Sequence, residues 1–120
     1  MDSKSHDEHI SYVSHLSHAT SFMLAKTVIE KEKNEKNIFD MAGSGFESTV
    51  RLAKSSPNMW APIFLQNKTN LVEALENYIK NLSELKSKIE NDNKNSILID
   101  LNNINRIKKI LGGIKKNNEK

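Results

Sequence analysis

The sequence contains no cysteine, only two prolines and four glycines, and few aromatic residues. The absence of cysteine excludes disulfide bonds, thiol catalysis and thiolate metal sites. The scarcity of glycine and proline leaves long segments without a helix breaker, which favours helices over many short strands. No apolar run approaches the length of a membrane span, and no basic-then-apolar leader opens the chain. We therefore expect a cytoplasmic protein without a membrane partner.

The chain is short and carries little net charge. Its 120 residues include 18 basic and 15 acidic side chains, which gives a formal net charge of +3. This balance produces only a weak field, so we do not expect nucleic acid as a partner. The length suits one domain with one hydrophobic core. It is too short for a whole NAD-dependent dehydrogenase, which needs a βαβ nucleotide domain besides its substrate domain.

A long first helix is predicted from Ser5 to about Glu30. The segment from Ser5 to Glu8 has the spacing of a capping box, and no glycine or proline follows before Gly43. One face of this helix is mainly apolar and the opposite face is polar. The apolar face contains Val13, Leu16, Thr20, Met23, Leu24 and Thr27, and the polar face contains Asp7, Ser11, Ser14 and His18. We expect the apolar face to lie in the core.

Shorter helices are predicted in the middle of the chain. One covers about residues 37–42, and the glycines of Gly43-Ser44-Gly45 are expected to end it in the left-handed conformation and to begin the next helix. The buried side of that next helix is predicted to contain Phe46, Val50 and Ala53. Ser56 followed by Pro57 is typical of an N-cap and a first helical position. Pro62 should start, restart or kink the helix that follows.

The longest apolar pattern lies in the second half of the chain. Positions a and d of nearly four heptads are occupied by Phe64, Leu71, Leu75, Tyr78, Leu82, Leu85 and Ile89. This pattern predicts a long helix that packs beside another helix and ends at residues 91–93. A last helix is predicted from about Ser96 to Gly112-Gly113, which leaves residues 114–120 as a disordered polar tail. The predicted fold is therefore all-α, a bundle of about five helices with one long member.

All four histidines lie near the start of the chain, but their spacing does not favour a metal site. On a continuous helix His6 and His9 point away from His15 and His18, so the four rings cannot converge on one ion. Ser14 and His18 share a face, yet no oxyanion-hole motif or third triad member accompanies them, which speaks against a hydrolase. We expect no metal.

Three further features suit a ligand only in combination. The turn Ala42–Phe46 lacks the third glycine and the preceding strand of a dinucleotide loop. Arg51 has the fork geometry that binds a carboxylate, although a surface pair with Glu47 is the simpler interpretation. Trp60 is the only tryptophan, and such a residue lies in a core more often than over a pocket.

Taken in order, these features closely resemble the C-terminal domain of the prephenate dehydrogenase family. The pattern comprises His6-Asp7, Val13 to His18, Ala42 to Phe46, Arg51 to Ala53, Ser56 to Trp60 and Ile63-Phe64. The similarity extends from about His6 to Ile89. The serine-histidine-leucine-x-histidine core and the glycine-rich turn before the arginine are specific in combination.

The resemblance implies that residues 1–113 form a helical domain that makes a homodimer through its long helices and completes an active site. The implied reaction is the NAD-dependent oxidative decarboxylation of prephenate to 4-hydroxyphenylpyruvate, a step of tyrosine biosynthesis. In this family an N-terminal Rossmann domain binds NAD and supplies the histidine that polarises the ring hydroxyl. No position here matches that domain, so we expect no catalytic residue and no bound NAD in this chain alone. We expect an excised domain or a fragment that is inactive by itself.

The resemblance also assigns roles to individual residues. His18 corresponds to the histidine that contacts the substrate, and Arg51 to the arginine that orients the carboxylates of prephenate. The other matched positions are Ser14 and Trp60 in the substrate cleft, and His6 and Asp7 at its mouth.

Two positions depart from the pattern of the family. Ser17 stands where proline is common, which should leave the helix straighter. Ser44 stands where the family often has a middle glycine, so its hydroxymethyl group would reshape the substrate pocket or add a hydroxyl to it. Feedback by tyrosine, the choice between prephenate and arogenate, and the presence of a fused chorismate mutase or regulatory domain therefore stay open.

Two other functions also stay open. A free-standing helical module that kept the pocket and lost the chemistry would bind tyrosine or a related aromatic acid without catalysis. A purely structural helical adaptor would bind neither, and substitution of His18 or Arg51 would then have no effect.

Overall fold

A computed structural model describes residues 2–118 of the chain, with side chains up to Ile114. The helices are α1 (Ser3–Ile10), α2 (Leu16–Glu32), α3 (Ser44–Val50), α4 (Pro57–Gln66), α5 (Lys68–Glu90), α6 (Lys94–Ile104) and α7 (Arg106–Asn118). A π-helical segment, Ser11–His15, joins α1 to α2, and two 3₁₀ turns cover Ile38–Met41 and Arg51–Lys54. Within the described residues there is no strand, so the all-α prediction is confirmed.

The chain divides into two compact units, and the boundary falls inside α5, between Asn77 and Tyr78. The first unit contains α1 to α4 and the beginning of α5. The second contains the rest of α5 with α6 and α7. Along the helices that the structure describes, no segment is both long and apolar enough to cross a membrane.

The start of the first helix differs from the prediction. The N-cap is Asp2, whose Oδ1 accepts a hydrogen bond from the backbone N–H of Ser5 at 2.8 Å, and the helix begins at Ser3. The predicted capping box at Ser5 is therefore wrong. An aspartate does the same work as a serine at this position, because either oxygen satisfies one of the free N–H groups of the first turn.

The buried face of the first helix also differs from the prediction. Val13 is 78% exposed and Met23 54%, whereas the buried residues are Ser11, His15, Ala19 and Ser21. Small side chains allow neighbouring elements to approach this face closely, and the Ser21 hydroxyl donates to the carbonyl of Thr49 at 3.0 Å. The predicted core face was therefore wrong, because apolar periodicity selected the large side chains while the packing uses the small and polar ones.

The glycine-rich turn is extended rather than left-handed. Gly43 has φ −108° and ψ −170° and serves as the N-cap of α3, and no described glycine has a positive φ. The prediction of a left-handed glycine here is wrong. Ser56 and Pro57 do begin α4 as predicted, with the N–H of Met59 donating to the Ser56 hydroxyl at 3.4 Å.

The long helix is shorter at its start than predicted. Phe64 belongs to α4, which contains Pro62 in its interior, and Asn67 separates α4 from α5. The end of α5 is as predicted: Asp92 takes the left-handed conformation, with φ 52°, after the last turn.

The last predicted helix is two helices, separated at Asn105. The second of them, α7, passes through Gly112 and Gly113 and continues to Asn118, so the prediction that these glycines end the helix is wrong. The predicted tail is thus helical as far as Asn118, and residues 119–120 lie outside the described part of the chain.

Candidate functional site

The centre of the first unit is a cluster of aromatic rings around Trp60. The imidazole of His18 stacks on the Trp60 indole, with ring centroids 3.5 Å apart and planes 15° from parallel. His15 meets the same indole edge-on, with centroids 6.0 Å apart. Phe64 packs against Trp60 at 5.8 Å and against Phe22 at 6.4 Å. We call His15, His18 and Trp60 the histidine–tryptophan cluster.

The orientation of His18 is set by the backbone of its own helix. Its Nδ1 lies 2.9 Å from the carbonyl oxygen of Ser14. Because a carbonyl oxygen only accepts, Nδ1 must carry the hydrogen and donate it. The neutral ring therefore has a lone pair on Nε2, which makes that nitrogen an acceptor for a ligand. Ser14 itself contributes its backbone carbonyl to this arrangement.

His15 is held by Asn67, which lies at the junction of α4 and α5. The side-chain Nδ2 of Asn67 lies 3.3 Å from Nδ1 of His15 and 2.9 Å from the carbonyl oxygen of Asp7. The Asn67 Oδ1 in turn accepts from Asn70 at 2.9 Å. One amide thus joins α1, the π-helical segment and α5.

The π-helical segment contains Ser14 and His15, which take part in these two contacts. A π turn contains one residue more per hydrogen bond than an α turn, and such turns occur frequently at functional sites. Here the Ser11 hydroxyl donates to the carbonyl of Glu8 at 2.6 Å, and Ser11 is fully buried. Two carbonyls next to the wide turn, those of Asp7 and Glu8, therefore accept hydrogen bonds from side chains.

The electrostatic environment of His15 favours its neutral form. Burial lowers its pKa below the ordinary value of 6.5, nearby His18 lowers it further, and the carboxylate of Asp7 acts in the opposite direction. Desolvation disfavours the charged form of an imidazole, and a second imidazole adds repulsion.

A cleft of about 420 Å³ opens beside the cluster. It is lined by His6, Asp7, Ile10, His15, Ile63, Gln66 and Asn67. His6 Nδ1 and Asp7 Oδ1 lie 3.7 Å apart, and both side chains are more than half exposed. The cleft therefore has polar groups at its rim, apolar walls and the buried His15 ring.

Two of the predicted site residues make no polar or ring contact with the cluster in the part of the chain that the structure describes. Ser44 is an exposed residue at the first position of α3, and Arg51 is exposed at the first position of a 3₁₀ turn. Neither makes a hydrogen bond, ion pair or ring contact with the cluster among the described residues. Glu47 pairs with Lys54 at 4.0 Å, and the structure gives no Glu47–Arg51 pair in its described part. The Arg51 guanidinium is therefore accessible to a ligand.

Metal binding has no support from the described residues. They contain no group of three or more histidine, cysteine, aspartate or glutamate side chains that could hold an ion. His15 and His18 pack against a tryptophan rather than around a common point.

Two residues of the site were not predicted. His15 is not among the predicted site residues, and neither is Asn67. The structure shows an Asn67–His15 pair separated by 52 residues, and no local pattern indicates such a contact.

Comparisons with known proteins agree with one another. The family model described as "Prephenate dehydrogenase, dimerization domain" matches residues 2–109. Prephenate dehydrogenase of Bacillus subtilis (strain 168) is 25% identical over 101 residues, which cover 81% of this chain and 26% of that protein. Cyclohexadienyl dehydrogenase of Zymomonas mobilis is 28% identical over 99 residues, which cover 82% of this chain and 34% of that protein.

A solved structure gives the same result. The chain is similar to the crystal structure of prephenate dehydrogenase from A. aeolicus in complex with hydroxyphenyl propionate and NAD+. The two have 37% sequence identity, and the TM-score is 0.81. The match covers 92% of this chain and 38% of that one. The chain thus spans between about a quarter and two-fifths of the length of these relatives.

Proposed function

The chain belongs to the prephenate dehydrogenase dimerization-domain family, and we propose that it is the substrate-side and dimer-forming half of such an enzyme. The enzyme would convert prephenate and NAD to 4-hydroxyphenylpyruvate, carbon dioxide and NADH. The observation that carries the proposal is the histidine–tryptophan cluster, in which His18 and Trp60 from separate helices form a stack. Both residues stand at positions matched to the substrate cleft of the family.

Each proposed contact has a chemical reason. The Nε2 atom of His18 is an acceptor in the neutral ring and becomes a donor when the ring is protonated, and the Ser14 carbonyl holds Nδ1 in either case. Arg51 has an exposed guanidinium, whose fork matches a carboxylate. Trp60 supplies an apolar surface next to His18. The further proposed contacts are Ser14 and Ser44, with His6 and Asp7 at the cleft mouth.

We assign NAD to a domain that this chain does not provide. A dinucleotide site needs a strand followed by a glycine-rich turn and a helix. Over the described residues there is no strand, and Gly43 is the N-cap of a helix of only seven residues that begins at Ser44. The residues present do not fit NAD, so we propose that the isolated chain catalyses no turnover of prephenate.

The proposed partners are a second copy of the chain and an NAD-binding domain, in the cytoplasm. The second unit carries many exposed apolar side chains on α5, α6 and α7, among them Leu82, Leu85, Leu101 and Ile104. A large apolar surface on a small protein is typical of an interaction site.

Calorimetry with prephenate, 4-hydroxyphenylpyruvate or tyrosine tests the proposed binding site. We expect the wild-type chain to bind at least one of them, and Arg51→Ala to weaken binding about tenfold or more, because a charge-assisted hydrogen bond contributes about 1.5–3 kcal/mol. His18→Ala should weaken binding as well. Lys54→Ala, an exposed cation of the same 3₁₀ turn that pairs with Glu47, is the matched control and should bind normally.

Activity assays test the rest of the proposal. The purified chain should show no NAD-dependent turnover of prephenate, and measurable turnover would contradict the division of labour between two domains. A second candidate function is a binding module for aromatic acids without catalysis. It is favoured by the fact that the cluster forms entirely from residues of the first unit. Tight binding of tyrosine, with no activity after addition of an NAD-binding domain of the family, would support this second candidate.

A further inference from the structure

The histidine–tryptophan cluster contains two imidazoles whose hydrogen-bond partners differ in kind. His18 faces a backbone carbonyl through Nδ1, whereas His15 faces a side-chain amide through Nδ1. The identity of the partner determines which nitrogen of a neutral ring carries the hydrogen. The two rings can therefore be assigned separately.

The orientation of the Asn67 amide follows from its neighbours. The carbonyl of Asp7 only accepts, so the amide atom that faces it at 2.9 Å must be the nitrogen. The opposite amide atom, Oδ1, accepts from the Asn70 side chain. The NH₂ group has two hydrogens, and with one directed to Asp7 the other is available for Nδ1 of His15. A donor at this position requires a lone pair on Nδ1, so the hydrogen of neutral His15 lies on Nε2.

We propose that Asn67 is a positioning residue that holds His15 as the neutral tautomer with hydrogen on Nε2, opposite to the tautomer of His18. His15 thereby presents an N–H donor and His18 presents an acceptor, although both rings contact the same indole. His15 Nε2 is not fully buried, because every fully buried side-chain nitrogen or oxygen of the described residues has a partner and Nε2 has none among them.

The two rings also differ in how protonation would affect their hydrogen bonds. An added proton on His18 goes to Nε2 and leaves the bond to Ser14 intact. An added proton on His15 goes to Nδ1, where it would face the N–H of Asn67. The titratable groups near His15 are Asp7 and His6 on α1 and His18 on α2, while α4 and the α4–α5 junction contribute the uncharged Ile63, Gln66 and Asn67 to the cleft.

This division of roles bears on the proposed substrate site, and for the identity of the ligand it rests on the proposed function. A carboxylate or carbonyl oxygen would be the partner of the His15 N–H, and a hydroxyl would be the partner of the His18 lone pair.

Long-range ¹H–¹⁵N correlation spectra of the ¹⁵N-labelled full chain test the proposal directly, at about pH 8.5, two units above the ordinary histidine pKa. We expect His15 to show the spectrum of the Nε2–H tautomer and His18 that of the Nδ1–H tautomer. If wild-type His15 carries its hydrogen on Nδ1, the proposal is overturned without any need for a variant.

Two substitutions separate positioning from simple support of the fold. Asn67→Ala removes the donor, so the tautomers of His15 should shift toward the mixture seen for the exposed His9. Asn67→Asp replaces the donor by an acceptor of the same shape, so His15 should switch to the Nδ1–H tautomer and its pKa should rise. His15 spectra that stay at the wild-type tautomer in both folded variants would also overturn the proposal.

Asn77→Ala is the matched control. The Asn77 amide donates to the Tyr12 hydroxyl at 2.8 Å, so it also links α5 to the π-helical segment, but it touches neither histidine. This variant should keep both tautomers. The spectra need no ligand, so their failure would leave the proposed function standing. Absence of ligand binding together with the expected tautomers would count against the proposed function alone.

Discussion

Burial of His15 makes the stability of the fold depend on pH. The pKa of this ring is lowered mainly by burial, so the unfolded chain binds a proton more readily than the folded one as the pH falls through about 6.5. The contribution of His15 to the free energy of unfolding is therefore complete above that pH and is lost as the pH falls toward the folded pKa. We expect urea unfolding of the wild type to show this loss as the pH falls below the ordinary histidine pKa of about 6.5.

His15→Asn isolates this effect, because the asparagine Oδ1 can take the place of Nδ1 and accept from Asn67, while the side chain does not titrate. The loss of stability on acidification should be smaller in His15→Asn than in the wild type. His9→Asn removes an exposed histidine of α1 and should leave the wild-type dependence unchanged. Parallel pH curves for wild type and His15→Asn would show that His15 is not the group responsible.

At the scale of single residues, the sequence predicted site residues that lie on a recognisable motif. It missed residues that only the fold brings together. His18 and Trp60 were named from their motif, and the structure brings them into contact. Their proposed binding role stays a prediction, as does that of Arg51. Asn67 was missed because its partners lie 52 and 60 residues away, and neither periodicity nor capping rules report such distances.

The π-helical segment joins α1 to α2, the helix that carries His18. Deleting Val13, which is 78% exposed, would remove the additional residue of the wide turn and allow a continuous α-helix. Because the wide turn takes up the additional residue, the deletion leaves the face of α1 nearly unchanged but closes the turn beside the carbonyls of Asp7 and Glu8. The hydrogen bonds that these carbonyls accept from Asn67 and Ser11 should then be lost. We expect the far-UV circular dichroism to stay helical while urea denaturation shows a loss of about 2 kcal/mol, from two hydrogen bonds of about 1 kcal/mol each.

Val13→Ala is the control for that deletion. It keeps the length of the segment and changes only an exposed side chain, so it should alter stability by less than about 0.5 kcal/mol. Equal stability of the deletion and of Val13→Ala would mean that the wide turn does not contribute to docking of α1.

Helix α7 contains two glycines at positions that do not need them. Gly112 and Gly113 have no positive φ, and an added Cβ would meet no atom within 4 Å. Each glycine to alanine substitution should therefore stabilise the helix by about 0.5–1 kcal/mol. Increased helicity by circular dichroism and a higher unfolding midpoint would confirm this.

Gly43→Ala is the comparison for the two glycine to alanine substitutions in α7. Gly43 is the N-cap of α3, where alanine is a poor residue, so this substitution should lower stability even though the space is open. A loss of stability in the α7 variants as well would indicate that a second molecule approaches those glycines closely.

At the scale of elements, composition and apolar spacing predicted where helices lie, and local chemistry decided where they break. The long α5 follows from a heptad pattern, and its end at Asp92 follows from residues that tolerate the left-handed conformation. The breaks at Asn67 and Asn105 and the π-helical segment have no glycine or proline to mark them. They were therefore not predictable from breaker residues.

At the scale of the whole molecule, the short length and the exposed apolar surface both indicate that the chain packs against a partner. A chain of 120 residues leaves much of its surface exposed, and here that surface includes Leu82, Leu85, Leu101 and Ile104 on helices of the second unit. The heptad pattern predicted a helix with a packing partner, and the family is that of a dimerization domain. What the pattern could not predict is which partner covers each face, because periodicity is the same for contacts within and between chains.

Measurement of the oligomeric state tests whether that partner is a second copy of the chain. A groove of about 480 Å³ in the second unit is lined in part by Leu82, Leu85 and Leu101, and burial of a lysine there would be costly. We expect sedimentation velocity to give a dimer for the wild type at micromolar concentration, and Leu85→Lys to raise the dissociation constant at least about 100-fold, about 2.7 kcal/mol. Leu85 is already 39% exposed, so this variant should stay helical by circular dichroism. Lys80→Ala, an exposed position of the same helix, should leave the dimer intact. A wild-type monomer would contradict the dimer, whereas a Leu85→Lys dimer as tight as the wild type would place the interface elsewhere.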